Sequence, residues 1–309
     1  MRALVLELAT ALRELVLPRL GAPEGRAHAR SGAGGDVTFA IDAEAEAFLE
    51  GWVAAHAPGA AFYSEDRGLV TPAGGAAELV LVVDPIDGTR PALAGLEAAC
   101  AAVAVAPLGD GEPRMGDVAA GAVVEIKSGA WFCATRGGGC EASVPLRPSP
   151  ATDLDRLFWT FGFRGRPARE LVEVLGDLID RSSVGGGVFD LGSAAFDMTR
   201  VLTGQLDAYV EPGPRLVEEA PGMRAAFERV GRGEVLNNSP YDLAAAALCC
   251  AEGGVVVTDC RGQPLDGRPL LGSGPEYQMS VLAAGSGALH AALVDEVDRG
   301  ISRLLARRR

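Results

Sequence analysis

The segment from Leu79 to Thr89 constrains this chain more than any other. Leu79-Val80-Leu81-Val82-Val83 is an unbroken apolar run of strand length, the pattern of a central strand buried on both faces. It runs directly into Asp84-Pro85-Ile86-Asp87-Gly88-Thr89. Two carboxylates three positions apart therefore leave the carboxyl end of a buried strand, where ligands bind in α/β sheets. Pro85 fixes φ and removes a donor. Gly88 permits close backbone approach, and the Thr89 hydroxyl can cap a helix or hold a water. Like charges this close raise each other's pKa unless a cation joins them, and a hard divalent cation such as Mg²⁺ prefers this oxygen-rich setting. An Asp-Pro or Asp-Gly dipeptide alone reads as an ordinary turn. The whole hexapeptide directly behind a buried strand reads as a metal site.

Around this segment helices and strands alternate with no internal repeat. Leu4, Leu8, Leu12, Leu15 and Val16 recur at helical spacing, so the N-terminal stretch predicts an amphipathic helix ending before Pro18. Helices are predicted near 40–57, 168–181, 193–203, 214–229, 240–252 and from Gly287 onward. Strands are predicted near 60–64, 79–83, 98–106, 117–125, 130–134, 157–161, 206–210, 255–258 and 278–283. Residues 21–35 and 68–77 are predicted as loops. The Pro-rich stretch Val144–Pro150 divides the chain into an N-terminal lobe, 1–147, and a C-terminal lobe, 148–309, forming one unit. The expected class is α/β with stacked layers of helix and sheet.

Composition removes other classes. The chain has 309 residues and a formal net charge of −13, so nucleic acid is not expected as its main ligand, because backbone neutralisation needs clustered Lys and Arg. No apolar run approaches the roughly 20 residues of a membrane span. The apolar N-terminal positions are interrupted by Glu7, Arg13 and Glu14, unlike a signal peptide. Six scattered cysteines without a CxxC pair and only three histidines make a Cys/His zinc site unlike this chain and suit a reducing cytoplasm. Adjacent Cys249 and Cys250 read as small core residues. Arg307-Arg308-Arg309 reads as the solvated end of a helix, favourable to its dipole.

Three further acidic features join the central motif. Asp36-Val37-Thr38 precedes Asp42 and Glu46, which share a helix face four positions apart; Ser64-Glu65-Asp66 ends a short strand; Tyr241-Asp242-Leu243-Ala244-Ala245 opens a helix. Each alone also reads as a cap, a solvated turn or a partner for a helix dipole. In order along the chain, these features and the motif at 84–89 resemble the inositol monophosphatase family. That family lies within the Mg²⁺-dependent, lithium-sensitive phosphatases that include fructose-1,6-bisphosphatases. Gly192-Ser193-Ala194-Ala195, Gly204-Gln205-Leu206-Asp207-Ala208-Tyr209 and Glu252-Gly253-Gly254 extend the resemblance over most of the chain.

The resemblance implies a layered αβαβα sandwich of two lobes, two to three Mg²⁺ ions and often a homodimer. Glu65, Asp84 and the Ile86 carbonyl would hold one ion. Asp84, Asp87 and Asp242 would hold a second, and a looser third would use Glu65 and water. Thr89 and Asp42 would help activate the attacking water, with Glu65 also among the catalytic residues. Asp87, Gly88, Thr89, Gly192, Ser193, Ala194, Glu211 and Asp242 would line the substrate site, with Glu211 against the substrate ring. The implied substrate is a small phosphorylated polyol or sugar, first inositol monophosphate. Fructose-1,6-bisphosphate, 3′-phosphoadenosine 5′-phosphate and histidinol phosphate are alternatives. A reading of another class is a noncatalytic or moonlighting interaction protein, as some bacterial members also bind transcription machinery.

The chain departs from the family in carrying Tyr241 where Trp is usual and Ala246 where Gly often ends the motif. Pro212 to Tyr241 is a longer connection than the family has between Glu211 and the last motif Asp. Within it, Arg215, Arg224, Arg229 or Arg232 is expected either to meet a second anionic group of the substrate or to be solvated on a surface helix.

Overall fold

The computed structural model describes residues 1–31, 37–75, 77–109 and 111–307; Asp36, Arg308 and Arg309 lie outside them. Helix α1 (Arg2–Val16) ends at the residue before Leu17-Pro18, as its periodicity predicts. A hairpin of β1 (His28–Ser31) and β2 (Val37–Phe39) leads into α2 (Ala40–His56).

A seven-stranded sheet follows. Its strands are β3 (Ala61–Ser64), β4 (Gly68–Val70), β5 (Leu79–Asp87), β6 (Cys100–Pro107), β7 (Ala120–Glu125), β8 (Trp131–Thr135) and β9 (Gly139–Ala142). Their order is β4-β3-β5-β6-β7-β8-β9, with β3 and β5 parallel and the other pairs antiparallel. The short helix α3 (Thr89–Ala94) leaves the end of β5. A second, five-stranded sheet has the order β11-β10-β12-β14-β13. It comprises β10 (Phe158–Thr160), β11 (Gly187–Phe189), β12 (Ala208–Glu211), β13 (Val256–Thr258) and β14 (Val281–Ala284). The later helices are α4 (Ala168–Gly185), α5 (Ala194–Thr203), α6 (Gly213–Glu219), α7 (Met223–Val230), α8 (Pro240–Glu252) and α9 (Gly287–Arg307).

Side-chain alternation along the strands sorts these elements into layers. On β5, Leu81 and Val83 are buried with Leu8, Leu12, Ile41 and Leu49 of α1 and α2. Val80 and Val82 face the other way and are buried with α5 and α8. Tyr209, Val281 and Ala283 of the second sheet meet that same middle layer. Ala208, Val210, Leu282 and Ala284 instead join Leu171, Leu175, Leu289 and Leu293 of α4 and α9. The result is the expected αβαβα sandwich: α1–α2, large sheet, α5–α8, small sheet, α4–α9. The alanine-rich face of α8 is explained by its distance from the sheet. A side chain on Gly121 of β7 would stand 2.9 Å from the Ala245 Cα, so only small residues fit between them. Cys249 and Cys250 are buried in this middle layer.

The structure corrects several element boundaries. The segments 21–35 and 68–77, expected as loops, contain β1 and the edge strand β4, and β9 and β11 lie where the sequence predicts no strand. The helix expected over 214–229 is two helices, α6 and α7, separated at Pro221-Gly222, where Gly222 has φ 75°; this is a conformation that favours glycine. Among the described residues no helix is long and apolar enough to cross a membrane.

Candidate active site

The apolar run and the motif are one strand. β5 continues to Asp87 instead of ending at Val83. Its register against β6 pairs Asp84 with Ala102 and Asp87 with Cys100, so three steps on β5 match two on β6. Residues three apart on a regular strand point to opposite faces. The extra residue of this bulge reverses that parity and brings Asp84 and Asp87 to the face that looks toward the second sheet. The Ile86 side chain is thrown to the opposite face and anchored among the α1 and α2 residues.

Three helix starts hold the site carboxylates. Asp87 Oδ2 accepts the Ala195 N–H at 2.6 Å and the Ser193 hydroxyl at 2.9 Å, both at the start of α5. Asp242 is in the first turn of α8, and its Oδ2 accepts the Ser239 N–H at 2.6 Å. Asp42 is in the first turn of α2 and accepts the Phe39 N–H at 2.9 Å. Each carboxylate thereby satisfies an orphan donor of a helix N-terminus and gains from its dipole. Asp84 accepts the Ile86 N–H at 3.0 Å.

Asp84, Asp87 and Asp242 each offer one oxygen to a common centre, all within 4.8 Å of one another. Burial, then the charges of Asp87, Asp242 and Glu65, push Asp84 well above the usual carboxylate range. Burial lifts Asp87 to about 6, against the hydrogen bonds from α5. Burial and the charge of Asp87 lift Asp242 to about 7, although this residue keeps partial exposure. A set of converging oxygens that resists ionising together fits a hard cation, whose charge reverses that resistance.

Glu65, Asp84, Ile86, Asp87, Gly88, Thr89, Gly192 and Asp242 line one cavity, together with Arg90 and Arg164. Glu65 is outside the tight three-carboxylate group. The Thr89 hydroxyl donates to Asp42 Oδ1 at 3.0 Å and approaches the Ile86 carbonyl at 3.2 Å. Gly88 has φ 90°, and a side chain there would stand 2.4 Å from the Ala98 carbonyl oxygen and 2.8 Å from the Ser193 Cβ. Only glycine lets the motif and the start of α5 approach this closely. Tyr241, in place of the expected Trp, is buried and stacks against Tyr63 with ring centres 6.4 Å apart, so the aromatic body is kept.

The side of the site formed by the second sheet differs more from expectation. Glu211 lines neither cavity at the site. It is 1% exposed, lies 2.9 Å from Arg166 and accepts the Gly213 N–H at 3.0 Å. Arg166, itself buried, also donates to Asn237 and Asn238 at 3.2 Å each. Asn238 donates to the Tyr209 hydroxyl at 2.6 Å. The arginines expected to reach the substrate from the long connection do not line the site. Arg215 is held by Glu219 and Asp298 and donates to the Cys260 carbonyl. Arg224 is beside Glu228, and Arg229 and Arg232 are exposed. The connection contributes Asn238 to the lining instead, with Asn237 behind it as a partner of Arg166. The cations that do line the site are Arg90, Arg164 and Arg166. Arg164 and Arg166 follow the carboxyl end of β10, so the rule that pointed to Asp84 also applied there.

The chain is similar to known proteins over most of its length. Residues 1–301 match the inositol monophosphatase family. An inositol-1-monophosphatase of Mycobacterium leprae is 32% identical over 222 residues, 68% of this chain and 72% of that protein. A fructose-1,6-bisphosphatase/inositol-1-monophosphatase of Methanothermobacter thermautotrophicus is 26% identical and covers 96% of each chain. Among solved structures, the extragenic suppressor protein suhB of Bartonella henselae superposes with a TM-score of 0.71 at 19% identity, covering 96% of this chain and 97% of that one. The chain belongs to the inositol monophosphatase family, and it is a phosphatase of the phosphoric monoester hydrolase class.

Proposed function

We propose that this chain is a Mg²⁺-dependent phosphomonoesterase that hydrolyses a small phosphorylated polyol or sugar, with inositol monophosphate the first substrate to test. The observation that carries this reading is the convergence of Asp84, Asp87 and Asp242 within 4.8 Å, beside the Thr89–Asp42 hydrogen bond. Asp84, Asp87 and Asp242 would hold one divalent ion; Glu65, Asp84 and the Ile86 carbonyl would hold another. Ions bound there neutralise phosphate charge, lower the pKa of a bound water and favour the leaving oxygen.

The chain's own groups do the remaining work. The Thr89 hydroxyl, donating to Asp42, is oriented to accept a proton from the attacking water while passing its own toward the carboxylate. Gly88 and Thr89 open α3 and present backbone N–H groups to the phosphoryl oxygens. Ser193 and Ala195 fix Asp87 and thereby join the lobes at the reacting centre.

Fructose-1,6-bisphosphate is the next substrate to test, because the relative of 96% coverage carries that activity in its name. The noncatalytic reading is less well supported, since Glu65, Asp84, Asp87 and Asp242 are all present. A homodimer working in the cytoplasm fits the same reading. The test is phosphate release from a panel of monoesters and bisphosphates, with Mg²⁺, EDTA and Li⁺ arms. Release that needs Mg²⁺ and falls with Li⁺ is expected; no Mg²⁺-dependent release from any substrate refutes the proposal.

A further inference from the structure

The cavity at the carboxylate cluster adjoins a second one lined by Gly162, Arg166, Asp190, Asp197, Tyr209 and Asn238. Asp87, Arg164, Gly192 and Asp242 line both. Arg164 is the one basic residue among them. Under the phosphatase reading, on which this inference rests, the phosphoryl group occupies the first cavity and the alcohol part of the substrate the second. The bond that breaks lies at their junction, where Arg164 stands.

The local chain is built to fix that position. Arg164 follows β10, and its carbonyl accepts Arg166 Nη1 at 3.2 Å. The Arg166 N–H donates to the Phe163 carbonyl at 3.0 Å, and the Phe163 N–H reaches Asp190 at 3.3 Å. Gly165 turns at φ 68°, with Leu236 so close that a side chain at this position would meet it at 2.7 Å. The two neighbouring arginines are therefore unequal. Arg166 is buried against Glu211, Asn237 and Asn238 and pins the backbone. Arg164 keeps partial exposure and lines the site.

We propose that Arg164 is a catalytic residue whose guanidinium hydrogen-bonds the bridging ester oxygen as the phosphate leaves. The water oxygen forms the new bond to phosphorus. The ester P–O bond breaks with its electron pair remaining on the alcohol oxygen, and one proton of the water ends on that oxygen. The products are the alcohol and inorganic phosphate. The guanidinium stays charged throughout, so it serves by stabilising the developing negative charge and not by giving up a proton.

This role has a signature that a structural arginine lacks: its worth depends on the leaving group. Alkyl esters build much charge on the departing oxygen, whereas p-nitrophenyl phosphate disperses that charge into its ring. The experiment measures kcat/KM in Mg²⁺ for inositol monophosphate, glycerol phosphate, phenyl phosphate and p-nitrophenyl phosphate. It compares the full chain with Arg164→Ala and Arg164→Lys. Arg164→Ala is expected to lose roughly 10²–10³-fold on the alkyl esters and to lose least on p-nitrophenyl phosphate, with Arg164→Lys between it and the parent. Equal losses on every ester, or none, with an active parent, overturn the role of Arg164 and leave the phosphatase reading standing. A parent that releases no phosphate from any ester overturns both. Thermal unfolding confirms that the variants fold, and Arg164→Gln, which keeps the stem, carries the same comparison if Arg164→Ala does not.

Discussion

The Thr89 hydroxyl donates to Asp42 Oδ1 at 3.0 Å, joining the end of the central motif to the first turn of α2. The other Asp42 oxygen accepts the Phe39 N–H. One carboxylate thus caps a helix and orients a hydroxyl at the candidate active site. The two duties separate by mutation. Thr89→Val keeps shape and cap but removes the hydroxyl; it is expected to lower kcat by about 10²–10⁴-fold with the melting temperature nearly unchanged. Asp42→Ala should lower kcat similarly and also cost about 1 kcal/mol of stability through the lost cap. Steady-state kinetics with melting curves checks both.

The Arg166–Glu211 pair is expected to be a matter of stability before catalysis. Both side chains are almost wholly buried, and removing one strands the other charge. Arg166→Met should cost about 3–5 kcal/mol in urea unfolding. Adding Glu211→Leu should recover much of that loss, because the uncompensated carboxylate is gone.

The clustered carboxylates make the metal-free protein less stable than it can be. Asp84→Asn removes a carboxyl that burial and its acidic neighbours keep from ionising in the fold, a cost to folding at neutral pH, and is expected to raise the melting temperature in EDTA. The same substitution should abolish most of the stabilisation by Mg²⁺, which in the parent is about 2.7 kcal/mol at one hundred times the dissociation constant. Paired thermal scans with EDTA and Mg²⁺ measure both effects. A variant that melts lower than its parent in EDTA goes against the repulsion argument.

Glu46, which is held by the two residues flanking Glu65, offers a pH test. It accepts the Ser64 hydroxyl at 2.7 Å and the Asp66 N–H at 3.3 Å, yet burial raises its pKa above the ordinary 4.5. Between the ordinary and the raised value, the folded protein keeps this proton while the unfolded chain has released it. Stability from this group is therefore full below about 4.5 and is lost as pH rises through the raised folded value. Glu46→Gln, which imitates the protonated form, should flatten that decline and gain relative to the parent as pH rises. Unfolding free energies at pH 5, 6, 7 and 8 test the slope.

Much of this was legible in the sequence because the informative signals were local. The apolar run and the carboxylates behind it point to Asp84 and Asp87, whereas Asp242, which alone reads as a partner for a helix dipole, joins them through the resemblance to the family. That both motif carboxylates share one face was not legible. It depends on a bulge whose evidence is the register between β5 and β6. The resemblance implies that Glu211 contacts the substrate, but the fold seats Arg166 against it. Arg164 and Arg166 carried no periodic or spacing signal; their unequal fates follow from how the loop after β10 meets Asn237 and Asn238. The weak strands β9 and β11 escaped notice because neighbouring strands, more than their own glycine-containing sequences, hold them in place.

Under the proposed function, the cluster of Asp84, Asp87 and Asp242 makes hydrolysis depend on a divalent metal ion. The most direct measurement is phosphate release from inositol monophosphate and the rest of the ester panel by the parent and by Asp84→Asn, each with Mg²⁺ and with EDTA. Release by the parent only with Mg²⁺, and almost none by the folded variant under either condition, is expected. Parent-like turnover by Asp84→Asn, or parent turnover that persists undiminished in EDTA, would contradict it.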